Sequence, residues 1–342
     1  MARVGLRNIR LITNYLVVFC LFLSACETEV DIASLSDPVP VVYFIFDRSA
    51  QSYEVKLTKT YAGHQDAYRM AKIADSIYFK NAKVFLESWK DDYFQGKIEF
   101  LPDSSYNKEV GIFIENPNII YTHKRSYLED PILGFNNLRL VIEIPEINTI
   151  TYSEFSPVSF TKLKPDNPQK KVVDFYREDP YYLGWATEAF YCEIKIGFHY
   201  LEYKYGIEQE KYIEWIIWTT TPDMGHKYGS DLIKSYKAFL TPENFYPRIA
   251  GRIKSDPDVT TRRFKSIDLI YYCADQNLYD YLQTFSSVSI DQSGKLYSNI
   301  INGMGLCAST NQQVFSDYTL RGVELDSLVK GQYTKHLKFK RY

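Results

Sequence analysis

The chain has 342 residues and a formal net charge of −2, and aromatic residues make up 16% of it, including 30 Tyr and 21 Phe. Removing residues 1–25 takes away three arginines and no carboxylate, so 37 basic residues remain against 42 acidic ones, a formal charge of −5. This balance argues against a nucleic-acid partner, because nucleic-acid binders usually carry a basic patch or stripe. The aromatic content favours a β-rich fold, since aromatic rings pack well on a half-buried pleated surface.

Residues 1–25 have the pattern of a lipoprotein signal peptide. Three arginines precede an apolar stretch at 11–23, and small residues then lead to Cys26. The stretch is shorter than the roughly 20 apolar residues that a transmembrane helix needs, and its layout is that of a cleaved secretory signal. We expect cleavage between Ala25 and Cys26 and lipidation of the Cys26 thiol. The alternatives are an ordinary signal peptide with a chance cysteine, or an uncleaved anchor.

The acidic segment after the cysteine predicts where the protein is held. Acyl chains on Cys26 would attach it to a membrane, since a single chain anchors only marginally and two or more anchor stably. Glu27 stands where the commonest inner-membrane retention signal of enteric bacteria has Asp, so we expect the outer membrane. We interpret residues 26–40 as a tether, and leave open whether the protein faces the periplasm or the cell surface.

The pattern of residues 41–155 predicts an antiparallel β-sandwich of immunoglobulin or transthyretin type. Apolar and polar residues alternate with a period of two in several short runs, which is typical of half-buried strands. The expected strands are at 41–46, 53–58, 82–89, 93–101, 110–115 and 138–144.

A second β-rich domain with one or two short helices is expected at 180–342, after a proline-bearing linker at 156–179. Its predicted strands are at 190–200, 211–220 and 266–273. One helix is expected near 242–252, with Thr241 as its N-cap and Pro242 at its first position. Pro247 should kink or stop that helix. A second helix is expected near 276–285, where apolar residues recur at helical spacing.

The cysteines on the predicted strands look like core residues. Cys192 and His199 are seven apart, so on one strand they face opposite sides and cannot act together as nucleophile and base. Cys273 is in phase with the apolar positions of its own strand. This placement leaves one pairing open, a disulfide between Cys192 and Cys273, which the oxidising envelope would permit.

No cofactor or metal is expected from the motifs. Gly303-Met304-Gly305 formally matches part of a dinucleotide fingerprint, but the residues after it do not read as a helix, so a glycine-bearing turn or bulge is the better interpretation. The five histidines are scattered without metal-ligand spacing. A pair of catalytic carboxylates, as in a glycoside hydrolase, stays open because its spacing is set in space rather than along the chain.

The layout resembles the outer-membrane lipoproteins of the Bacteroidota that are grouped as domain of unknown function 4249. The resemblance rests on the lipobox with its acidic tether, on YEVKLTKTY and AKVFLES, on the segment NLYDYLQTF, and on YSNIINGMGLCAST near the C-terminus. It implies an all-β envelope lipoprotein often encoded beside TonB-dependent receptors, and it transfers no catalytic residue.

The sequence therefore predicts a lipid-anchored outer-membrane lipoprotein that is not an enzyme and that works as a binding or accessory component of a TonB-dependent receptor. Two alternatives stay open: a glycan-active hydrolase that uses two carboxylates, and a structural or adhesive surface protein.

Overall fold

Strands dominate the residues that the computed structural model describes, which are 37–61, 65–126, 137–165, 169–220, 234–286 and 297–341. The strands are β1 (Pro40–Asp47), β2 (Ser52–Lys59), β3 (Lys83–Lys90), β4 (Tyr93–Asp103), β5 (Ile120–Lys124), β6 (Asn137–Ile144), β7 (Thr149–Phe155), β8 (Phe160–Pro165), β9 (Val172–Val173), β10 (Tyr181–Thr187), β11 (Tyr191–Lys204), β12 (Ile207–Thr219), β13 (Lys234–Leu240), β14 (Val259–Ala274), β15 (Met304–Leu320) and β16 (Phe339–Lys340). The helices are α1 (Ala67–Met70), α2 (Ala74–Ile77), α3 (Pro242–Arg252), α4 (Gln276–Ser286) and α5 (Gly322–Lys330), with 3-10 turns at Pro145–Ile147 and Lys335–Leu337. The predicted mainly β fold is confirmed.

Most of these strands belong to one mixed sheet, in the order β12-β11-β14-β15-β1-β2-β5-β4-β3-β6-β7. Neighbours in this order run antiparallel except β1 and β15, which run parallel with Val42 opposite Gly305. A second sheet has the order β13-β10-β8. Strands from both predicted segments, 41–155 and 180–342, thus lie in one sheet, and β8 and β9 fall inside the predicted linker at 156–179. The boundary between two domains stays a prediction.

The first hydrophobic core lies between two parts of the long sheet. Alternate side chains of β1 and β2 pack with alternate side chains of β3, β4 and β6, as the period of two predicts. The buried members include Val42, Phe44, Phe46, Val55, Leu57, Val84, Leu86, Phe100, Leu140 and Ile142. Tyr152 of β7 also forms a β-bridge with Ile301, with N···O distances of 2.8 and 3.2 Å. This bridge brings the far edge of the sheet back to the segment that leads into β15.

The second core lies between the other end of the long sheet, the smaller sheet and the helices α3 and α5. Trp185 of β10 sits within it, with its ring centroid 4.6 Å from that of Trp218 and 5.5 Å from that of Tyr236. From β11 it takes Ile194, Ile196, Phe198 and Tyr200, each at most 6% exposed, and Cys192 is buried in a small cluster with Ala189 and Cys273. The alternation predicted for this strand is confirmed.

The strand predicted at 110–115 is wrong. These residues form a bend followed by irregular chain, and Val110, Ile112 and Phe113 are each more than half exposed. Lys72 donates a hydrogen bond from Nζ to the carbonyl oxygen of Gly111. A strand needs a neighbouring strand to complete its backbone hydrogen bonds. Here the carbonyl of Gly111 accepts its hydrogen bond from a lysine side chain instead.

The helix near 242–252 forms where expected, but it does not stop at Pro247. It runs from Pro242 to Arg252 and ends where the N–H of Ile253 donates to the carbonyl of Ile249 at 3.0 Å. Proline removes one interior hydrogen bond, and burial of Phe245 and Tyr246 in the second core offsets that loss. The second predicted helix is α4.

Candidate binding face

A layer of tyrosines and charged side chains covers the outer face of β11, β12 and β14, the side opposite the second core. It follows directly from the alternation along β11, which sends Tyr191, Glu193, Lys195 and His199 to this side while its neighbours are buried. Cross-strand pairing then sets Glu214 opposite Gly197 on one side and Asp268 opposite Gly197 on the other. We call this layer the outer face.

Lys195 joins two carboxylates in the middle of the outer face. Its Nζ lies 3.0 Å from a carboxylate oxygen of Glu193 and 3.5 Å from one of Glu214. Each carboxylate also accepts a tyrosine hydroxyl from a residue two positions earlier, Tyr191 for Glu193 and Tyr212 for Glu214. Burial, with the hydrogen bond to Glu193 as a second cause, raises the pKa of Tyr191 to about 12. The tyrosines are therefore neutral hydrogen-bond donors at physiological pH.

His199 and Asp268 form the second polar pair of the outer face. The Nε2 of His199 lies 2.9 Å from a carboxylate oxygen of Asp268, and its Nδ1 lies 3.6 Å from Glu210. Because an ionised carboxylate only accepts hydrogen bonds, Nε2 carries the proton. Glu210 in turn accepts a hydrogen bond from Lys265 at 2.6 Å, and this bond is the main cause of its lowered pKa.

Gly197 makes room for an aromatic ring between these two pairs. A Cβ at this position would lie 2.8 Å from Cε2 and from the hydroxyl oxygen of Tyr212, so the hydroxyl end of the ring lies against the glycine. The same ring is 4.7 Å from that of His199 between centroids. Burial raises the pKa of Tyr212, although the residue is still 46% exposed. Tyr212 therefore offers a fixed aromatic surface with part of its ring open to a partner.

Helix α4 borders the outer face on one side. Asp275 anchors the start of this helix, because its carboxylate accepts the N–H of Leu278 at 3.0 Å and the N–H of Ser309 on β15 at 2.8 Å. The helix places Tyr279 5.7 Å from Tyr191 between ring centroids. The aromatic surface thus continues from the sheet onto the helix.

The lipidation and cleavage residues Cys26 and Ala25 lie outside the described residues. Cys192 and Cys273 lie directly opposite each other in the β11–β14 ladder, and both are free thiols in this structure. Cys192 is 2% exposed on the core side, whereas His199 is on the outer face, so their predicted separation is confirmed. The disulfide itself stays a prediction.

Gly303 lies in a bend, and Met304 and Gly305 are already the first two residues of β15, so a strand follows the first glycine where a dinucleotide site needs a helix. Within the described parts of the chain, no group of three or more His, Cys, Asp or Glu side chains could hold a metal ion. The same residues contain no helix with the length and apolar character needed to cross a membrane.

Sequence reasoning missed the pairing of His199 with Asp268 and the bridge from Lys195 to Glu214. The alternation of each strand shows which side a residue faces, but it does not show the register between strands that are distant in sequence. One usable signal was Gly197, because a glycine inside an otherwise regular strand often marks a close approach of another group.

No family model matches the chain, and no curated protein matches it either. Among solved structures it is similar to a DUF4785 family protein from Legionella pneumophila, with 9% identity, coverage of 67% of this chain and 51% of that one, and a TM-score of 0.19. It is also similar to the C-terminal globular domain of an oligosaccharyltransferase from Pyrococcus abyssi, with 11% identity, coverage of 82% and 46%, and a TM-score of 0.18. The chain spans about half the length of these two structures. Such scores assign neither a fold family nor a function.

Proposed function

We propose that this protein is a lipid-anchored lipoprotein of the outer membrane that binds a partner without catalysing a reaction, and that the partner is a TonB-dependent receptor. The lipobox ending at Cys26 supports the anchor, and the resemblance of the sequence to the Bacteroidota lipoproteins supports the receptor.

The outer face is the observation that carries the binding function. Its ion pairs contain more carboxylates than lysine ammonium groups. The carboxylates are those of Glu193, Glu210, Glu214 and Asp268, and the ammonium groups are those of Lys195 and Lys265. Tyrosine is enriched at protein interfaces because it buries a large ring and still offers a hydroxyl. The partner surface that fits this face carries basic side chains and a hydrogen-bond acceptor for the tyrosines.

Affinity capture from detergent-solubilised membranes tests this function. The full-length lipoprotein should recover an outer-membrane receptor, and Tyr212→Ala and Glu214→Lys should each reduce the recovery, because one removes an aromatic contact and the other reverses a charge. Tyr93→Ala is the matched control, since Tyr93 is 75% exposed on β4, away from the outer face. Capture of no receptor, or equal capture by all three variants, would count against the proposal.

The anchor has its own test. Cys26→Ser removes the thiol that takes up the lipid, so the variant should leave the membrane fraction and appear in the soluble fraction of the envelope. A variant still found wholly in the membrane fraction would show that Cys26 is not the attachment point.

The second candidate is a glycan-active hydrolase, and the specific observation in its favour is that Glu193 and Glu214 lie close enough to share Lys195. Such enzymes need two neighbouring carboxyl groups, one of them protonated as the acid. In this structure both carboxylates already have partners, Lys195 together with the hydroxyls of Tyr191 and Tyr212, which weakens this candidate. Release of reducing sugar from envelope polysaccharides that is lost in Glu193→Gln and in Glu214→Gln would establish it.

A further inference from the structure

A cavity of about 410 Å³ opens on the side of the long sheet away from the outer face. Its walls come from distant parts of the chain: the turn after β1 and the end of β5 on one side, and β8 with β15 on the other. It therefore lies where the first and second hydrophobic cores meet. Small-molecule sites commonly occupy such junctions and have volumes of about 300–1,000 Å³.

Three cationic residues line this cavity, Arg48, Arg125 and Lys162, and among the described residues no Asp or Glu lines it. Arg125 is held in place because its Nη1 donates a hydrogen bond of 2.6 Å to the carbonyl oxygen of Arg48. The backbone N–H of Arg48 is itself bonded to the carbonyl of Thr310 on β15, at 3.3 Å. These two bonds hold the guanidinium of Arg125 against the backbone of Arg48 and tie that backbone to β15.

The opposite wall supplies neutral hydrogen-bonding groups and an apolar surface. Asn311 is only 4% exposed and its Oδ1 lies 3.4 Å from Nε2 of Gln313. Phe160 contributes an aromatic ring, which is fixed by an edge contact with Tyr271 at 6.0 Å. The strand β8 that carries Phe160 and Lys162 is tied to β10 by a bond from Thr161 Oγ1 to the carbonyl of Ala186, at 3.1 Å.

We propose that this cavity binds a small organic molecule that carries an oxyanion group, either a carboxylate, a phosphate or a sulfate. Guanidinium groups bind such anions through paired, charge-assisted hydrogen bonds. Asn311 and Gln313 donate further hydrogen bonds, and Phe160 contacts the organic part. The cavity is several times larger than a bare phosphate ion, so the group arrives as part of a larger molecule. This site does not depend on the outer face or on the receptor.

Isothermal titration of the full-length protein in detergent tests the site with three probes of nearly equal size: phenyl phosphate, benzoate and benzyl alcohol. Phenyl phosphate or benzoate should bind at one site per chain, and the tighter of the two identifies the preferred oxyanion. Benzyl alcohol should bind at least about tenfold more weakly, since it lacks the charge that strengthens a hydrogen bond to a guanidinium group. Equal binding of all three probes, or saturable binding of none, would overturn the proposal.

Two variants locate the binding within the cavity. Arg48→Gln removes a guanidinium but keeps the backbone carbonyl that holds Arg125, and Lys162→Gln changes an exposed side chain on β8. Each should weaken oxyanion binding about tenfold or more, with the far-ultraviolet circular dichroism and the thermal midpoint unchanged. Arg263→Gln, at an exposed arginine on β14, is the matched control and should bind as the wild type does. Loss of binding in the control, or none in either cavity variant, would place the anion elsewhere and overturn the assignment.

Discussion

The side chain of Asn299 takes the place of a neighbouring strand for Cys307. Its Nδ2 donates to the carbonyl oxygen of Cys307 at 2.7 Å, and its Oδ1 accepts the N–H of Cys307 at 2.9 Å. The ladder between β14 and β15 begins only at the pair of Ala274 and Thr310. The first residues of β15, which include Cys307, therefore extend beyond the end of β14. The Ser-Asn-Ile segment of the sequence therefore has a structural role, which is to complete the hydrogen bonding at the start of β15.

Asn299→Asp should destabilise the protein by about 1–3 kcal/mol, because a carboxylate oxygen would replace the donor and face the carbonyl of Cys307. Urea unfolding followed by tryptophan fluorescence measures the change in the free energy of unfolding. Asn107→Asp is the control, since Asn107 is exposed and surface changes usually stay within about 0.5 kcal/mol. Equal stability of the two variants would show that the paired hydrogen bonds contribute little.

Gly305→Ala should be strongly destabilising. The backbone at Gly305 has φ of +120°, and a Cβ there would lie 1.9 Å from the carbonyl oxygen of Val42. Since that carbonyl belongs to β1, the methyl group would push β1 away from β15. We expect a loss of more than about 2 kcal/mol, combining backbone strain with lost pairing. Gly251→Ala in α3 is the control, because a Cβ there meets nothing within 4 Å and alanine favours helix by up to about 1 kcal/mol. A Gly305→Ala variant as stable as the wild type would mean that β1 and β15 do not approach this closely.

The strands were predictable where burial alone decides the pattern. Along β11, one side contacts the second core and the other side contacts solvent. Apolar and polar residues therefore alternate along this strand with a period of two. At 110–115 the apolar residues alternate in the same way, yet Val110, Ile112 and Phe113 lie exposed in a bend. A local pattern does not reveal whether a partner strand is present. The cation of Lys108 lies 5.2 Å from the ring centroid of Phe113, which is one local use of that apolar side chain.

The candidate binding face was only half predictable. The sequence placed His199 opposite the core and away from Cys192, which is correct, but Asp268 is 69 residues further along the chain. Their contact depends on the register between β11 and β14, and that register includes a shift between His199 and Tyr200. A shift of one residue would turn a whole strand over, so no pattern within either strand could have paired these two residues.

Removal of the buried guanidinium of Arg262 should cost about 3–5 kcal/mol, since it leaves a carboxylate without its partner. Arg262 is 2% exposed and donates to Glu202 at 2.8 Å, to the carbonyl of Leu337 at 2.7 Å and to that of Lys254 at 3.2 Å. Thermal unfolding of Arg262→Met should show the loss, and the double variant Arg262→Met with Glu202→Leu should recover part of it. If the double variant is no more stable than Arg262→Met, the ion pair is not the cause.

Lys56 should titrate near pH 8. Burial, with the charge of Lys108 as a second cause, lowers the pKa of its amino group to about 8 from 10.5, while Nζ keeps hydrogen bonds to Asn118 at 2.6 Å and to the carbonyl of Ile119 at 2.9 Å. Because the folded state binds the proton less tightly than the unfolded state does, this group makes the protein more stable as the pH rises from about 8 to 10.5. Relative to Lys56→Gln, the wild type should gain stability over that interval. NMR titration of the Lys56 amino group gives the pKa directly, and a value above 10 would contradict the prediction.

The three described cysteines should be unreactive in the folded protein. Burial raises the pKa of the Cys192 thiol to about 12 and also raises those of Cys273 and Cys307, and only the thiolate reacts with iodoacetamide. Mass spectrometry of the native protein at pH 8 should find none of the three modified, and modification at the rate of an unfolded peptide would contradict the buried positions.

The same labelling after unfolding without a reductant tests the disulfide between Cys192 and Cys273, because it shows which cysteines have a free thiol. Cys192 and Cys273 are opposite neighbours in an antiparallel ladder, where Cα atoms are about 4.5–5.5 Å apart, a separation that a disulfide accepts. Modification of Cys307 alone would establish their disulfide, and modification of all three would exclude it.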